Sequence, residues 1–111
     1  MSVTAVMAEL FVTDAERAVQ FYTRLFRRPP DDTPMDKLFE WHFDGPGVQV
    51  FEDPDRAGRS GATIVVTDLD AEVAVLNDAG ISHGPLIEAT YVRLVQLADP
   101  DQNRIVLSGA K

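Results

Sequence analysis

Few side chains in this sequence can carry chemistry, and the best placed are His42, Glu40 and Glu9. An imidazole held beside a carboxylate can exchange a proton near neutral pH, so His42 with either acid would form an acid-base pair. Tyr91, Arg93, Arg104 and Glu52 add polar groups that can fix the orientation of a ligand. Each also has a plainer reading. His42 can be a solvent-facing strand residue, His83 a loop or edge residue, and the two arginines neutralisers of Glu9 and Glu52. Other chemistries are closed to the chain. It contains no cysteine, which excludes disulfides, thiolate metal sites and cysteine nucleophiles. Gly58-Arg59-Ser60-Gly61 lacks the lysine and the helix of a phosphate loop, and Ser60, Ser82 and Ser108 have no neighbouring histidine in sequence.

The elements that must position these residues come as a repeat. Val12-Thr13-Asp14-Ala15-Glu16-Arg17-Ala18-Val19 returns half a chain later as Val66-Thr67-Asp68-Leu69-Asp70-Ala71-Glu72-Val73. In each copy an alternating strand reaches a Thr-Asp that can cap a helix, with Glu16 and Asp70 in capping-box position counted from the threonine. The first copy predicts a strand over 3–12 and a helix over 14–26, with an irregular, proline-rich connection or a poor edge strand over 27–37. A hairpin follows, Leu38 to Phe43 and Val48 to Glu52 about a turn at 44–47, and then a polar linker over 53–61. The second copy predicts a strand from Ala62, a helix over 68–79 capped by Gly80, a weak strand over 81–88, and strands over 91–98 and 104–108 about the turn Asp99-Pro100-Asp101-Gln102-Asn103. The expectation is an α+β domain over 1–111, made of two tandem βαβββ modules, 1–58 and 60–111.

One face of each sheet must lie dry beneath its helix, which leaves the other face for ligand or solvent. The first strand should turn Met7, Glu9 and Phe11 to that wet side, and the hairpin Glu40, His42, Val48, Val50 and Glu52. Module two should add Ala62, Ile64, Val66, Tyr91, Arg93, Arg104, Val106 and Ser108. Trp41, with Phe39 and Phe43, should pack beneath the helix; on the reversed face it would be a stacking residue instead.

The strand-Thr-Asp-helix opening with Phe21-Tyr22 and Leu25-Phe26, its second copy, and Asp99-Pro100-Asp101-Gln102-Asn103-Arg104-Ile105-Val106-Leu107 resemble the vicinal oxygen chelate superfamily of glyoxalases, extradiol dioxygenases and bleomycin-resistance proteins. That resemblance implies two modules curling into a half-open barrel around a cavity, helices outside. It also implies four metal-ligand positions, which fall on Met7, Val50, Ala62 and Val106, or on Gln49 if the second slips by one. A thioether with three hydrocarbons does not chelate a divalent ion, so no metal or other cofactor is expected. The expectation is therefore a bleomycin-resistance-type protein that binds a small organic molecule, such as an antibiotic-like one, and the resemblance implies a homodimer. The alternative is an isomerase, epimerase or lyase using Glu9, Glu40 or His42.

Composition narrows the partners. Eighteen acidic residues against ten basic ones give a net charge of −8, which repels nucleic acid and anionic membrane surfaces. No apolar run reaches the roughly 20 residues of a membrane span, so a cytoplasmic protein is expected.

Overall fold

The computed structural model describes residues 1–111. Its order is β1 (Met7–Val12), α1 (Ala15–Phe26), β2 (Asp32–Met35), β3 (Leu38–His42), β4 (Gly47–Glu52), β5 (Gly61–Val65), α2 (Leu69–Asp78), β6 (Ile87–Glu88), β7 (Val92–Ala98) and β8 (Arg104–Ala110). The strands form two four-stranded mixed sheets, β1-β4-β3-β2 and β5-β8-β7-β6, and do not close into a barrel. Each first strand lies parallel to its module's last strand, so the repeat seen in the sequence is a repeat of topology.

Both helices begin where the Thr-Asp pairs stand, but the aspartates do the capping. Asp14 accepts from the Arg17 N–H at 3.2 Å and Asp68 from the Ala71 N–H at 3.0 Å. The capping box counted from the threonine is therefore displaced by one residue. Thr13 instead gives its N–H and its hydroxyl to Asp101, at 3.1 and 2.6 Å. Helix α1 then ends at Arg27, whose left-handed φ of 62° stops it before the prolines.

The core runs through both modules as one cluster. Leu10, Val12, Val50 and Trp41 meet Tyr22, Leu25 and Phe21 of α1, while Val95, Leu97, Ile105 and Leu107 meet Leu69 and Leu76 of α2. Trp41 is fully buried, within 6.0 Å of the Tyr22 ring and 5.5 Å of the Phe26 ring, so it takes the helix-packing role.

A polar hub joins the modules. The Asn103 amide gives a hydrogen bond to the Phe11 carbonyl at 2.7 Å, and its Oδ1 accepts from the Ser60 N–H and hydroxyl. The Ser60 oxygen in turn accepts the Phe11 N–H at 3.0 Å. Beneath it Asp99 accepts from the Tyr22 hydroxyl at 2.7 Å. Residues 53–61, expected as a bare linker, are thus docked along the edge of β1. Gly58 makes this possible: at its φ of +81° an added Cβ would lie 2.5 Å from the Asp101 carbonyl oxygen.

Candidate functional site

The helix-free faces of the two sheets carry the polar residues that no core contact explains. Residues directly paired across neighbouring strands point the same way. Glu9 pairs with Gln49 and Gln49 with Glu40, so the three form one row across the first sheet. Gln49 donates to Glu40 Oε2 at 2.5 Å, and His42 Nε2 lies 2.9 Å from Glu40 Oε1. The first strand thus turns Met7, Glu9 and Phe11 to this face, and β3 adds Glu40 and His42, as the alternation predicts. Asp31 steadies the far end, accepting the His42 N–H at 2.7 Å and an Arg28 N–H at 2.9 Å.

Glu40 is buried, yet its carboxyl is held below the usual carboxylate range. The Gln49 hydrogen bond contributes most, then that of His42, against the opposing effect of burial. A pKa lowered on folding adds stability above the unfolded pKa and loses it as pH falls through the folded one. Glu40→Gln should therefore flatten the fall in Tm between about pH 5 and pH 3. Differential scanning fluorimetry across that range checks this; parallel curves for the two proteins would contradict it.

Three parts of the expected wet face lie on the other side. In β4, Val48 pairs with Ala8 and Trp41, and Val50 with Leu10, so both face α1 and are buried. Glu52 follows them and accepts the Ala15 N–H at 2.9 Å, completing the start of α1. In β5, Ala62 and Ile64 pair with the core residues Ile105 and Leu107, so Thr63 rather than Ala62 shares the face of Val106. Val66, just past that strand, also packs against the core. In β7, Arg93 pairs with Gly109 on the helix side and donates to Asp70 at 3.1 Å. Tyr91 precedes β7 and is 85% exposed. Arg104, Val106 and Ser108 do share the helix-free face of the second sheet, with Gln96 paired opposite Val106. Beside them is a hollow of about 160 Å³ lined by Gly61, Ala62, Thr63, Arg104 and Val106. His83 stands apart from the row, bonded to Asn77 and the Gly84 carbonyl.

The donor set does not fit the metal of the chelating families. Nowhere do three or more histidine, cysteine, aspartate or glutamate side chains converge. With Gln49 in place of Val50 and Thr63 in place of Ala62, the four face-sharing positions offer a thioether, an amide, a hydroxyl and a hydrocarbon. Such a set holds no hard divalent ion in competition with water.

The fold and face define an α+β protein of paired βαβββ modules with an open, helix-free surface. No family model and no curated protein matches the sequence. Solved structures do. A glyoxalase / bleomycin resistance protein from Catenulispora acidiphila is 27% identical with a TM-score of 0.88, over 96% of this chain and 98% of that one. TnmS3, an antibiotic binding protein from Streptomyces sp. CB03234, is 21% identical with a TM-score of 0.83, over 100% and 99% of the two chains. Oxidase ChaP-H2 is 11% identical with a TM-score of 0.79, over 100% and 96%. The chain has the fold of glyoxalase / bleomycin-resistance proteins, which supports the vicinal oxygen chelate superfamily. No helix is long and apolar enough to cross a membrane.

Proposed function

We propose that this protein binds a small organic molecule without a metal, in the manner of bleomycin-resistance proteins, on the helix-free faces of its sheets. The observation that carries the reading is the row Glu9, Gln49 and Glu40 with His42 bonded to its end, set among Met7, Phe11 and Phe51 where a chelating site would need converging hard donors. Apolar surface with a few fixed polar groups suits an organic ligand. The antibiotic-binding neighbour supports that class of ligand. Both faces stand open in one chain, so a homodimer that closes them over the ligand is part of the proposal, as is a cytoplasmic location. Isothermal titration with bleomycin tests it: saturable heat, unchanged by EDTA, is expected. Binding that EDTA abolishes would overturn the metal-free reading.

A second reading has one observation in its favour. His42 Nε2 meets the Glu40 carboxylate, an arrangement that orients an imidazole for proton transfer. On that reading the protein is an isomerase, epimerase or lyase using His42, Glu40 or Glu9. A rate unchanged in the His42→Ala, Glu40→Ala double variant would remove it.

A further inference from the structure

The largest cavity in the chain lies apart from the row of Glu9 and Glu40 and reaches the helix-free side only at Gly47, Thr63 and Val65. It measures about 460 Å³ and sits between the modules on their helix side. Leu25 and Phe26 of α1 form one wall, and Val48 of β4, Ile64 of β5 and Leu107 of β8 form the others. Register places all three strand residues on the faces that meet the core, opposite the row of Glu9 and Glu40. The volume is that of a small-molecule pocket, and its floor has no charged group.

The charge is confined to the rim. Arg27 and Glu72 form a two-pronged pair of 2.9 and 3.1 Å that spans from the end of α1 to α2. Both Glu72 oxygens are taken by this pair, whereas Arg27 spends only two of its N–H groups on it. The guanidinium is also the more open partner, 50% exposed against 26%. A further anion can therefore dock on the free edge of Arg27, while a cation would find Glu72 already engaged.

We propose that this intermodule cavity is a second binding site, for a molecule with an aliphatic body and a single carboxylate, the body against Phe26, Val48, Ile64 and Leu107 and the carboxylate on Arg27. It does not depend on the reading of the helix-free faces. The probe is decanoate, below its micelle-forming concentration, followed by methyl NMR of the full chain beside decan-1-ol. Decanoate should shift the methyls of Ile64, Val48, Leu25 and Leu107 saturably and leave those of Met7 and Val106 unmoved. Arg27→Gln should weaken decanoate about ten-fold with little effect on decan-1-ol. Glu72→Gln, which removes the competing carboxylate, should tighten it about three-fold, so the opposed signs separate a site from a folding defect. Shifts confined to Met7 and Val106, or equal losses for acid and alcohol in Arg27→Gln, would overturn the proposal. So would shifts of the cavity methyls that follow protein concentration without decanoate, because a second copy would then be the occupant.

Discussion

Replacing Asp99 by alanine should lower the free energy of unfolding by about 3–5 kcal/mol. Asp99 is 2% exposed, and both of its oxygens are in use. One accepts the N–H groups of Asp101 and Asn103, each at 2.9 Å. The other accepts the Tyr22 hydroxyl at 2.7 Å and the Asn103 amide at 2.8 Å. Alanine would leave these donors buried without partners, which costs more than the bonds themselves contributed. The loss would reach both modules, because Tyr22 lies on α1 and Asn103 holds the edge of β1. Burial, reinforced by the charge of Asp99, also pushes the Tyr22 hydroxyl far above its ordinary pKa, so it stays a protonated donor across the accessible pH range. Urea unfolding of the variant beside Tyr22→Phe checks the account. The latter removes one donor and should cost only about 1 kcal/mol. Equal costs for the two would show that the hub does not act as a unit.

Trp41→Ala should cost a similar amount, about 3–5 kcal/mol, through the cavity it leaves. The indole is fully buried beneath Tyr22 and Phe26 and donates from Nε1 to the Arg28 carbonyl at 3.0 Å, which pins the chain leaving α1 to the sheet. Trp41→Phe keeps most of the volume and loses the donor, so it should fall between wild type and alanine in the same unfolding series. A cost for Trp41→Ala below about 1 kcal/mol would mean that the ring does not pack as described.

Much of this was legible because the repeat is physical. A Thr-Asp at the end of an alternating strand marks a helix start, and both helices begin one residue after it. The same repeat held information about faces that counting to the metal positions obscured. Ala8, Leu10 and Val12 correspond to Ala62, Ile64 and Val66, so the dry face of β1 foretells the dry face of β5. Thr63 and Thr67, polar and alternating with that set, agree.

The hairpin carried a similar signal. Pairing Phe43 with Val48 across the turn already aligns Trp41 with Val50, so the buried tryptophan draws both valines of β4 beneath α1. The actual turn, with Asp44 and Gly45 at positive φ, moves the pairing to Trp41 with Val48 and leaves the faces unchanged. Polarity misled at Glu52 and Arg93, because a charged side chain can end on the helix side when a helix N-terminus or an aspartate receives it. The long-range roles of Asp99, Asn103 and Ser60 had no local signature; their partners lie across the chain and appear only once the modules dock.

Native mass spectrometry of the purified protein, alone and after incubation with zinc, nickel, manganese and ferrous iron followed by dialysis, tests the metal-free binding claim most directly. No ion should remain in stoichiometric amount, and any adduct that remains should be organic, with a mass that leads to the ligand. A stoichiometric metal adduct surviving dialysis would contradict it.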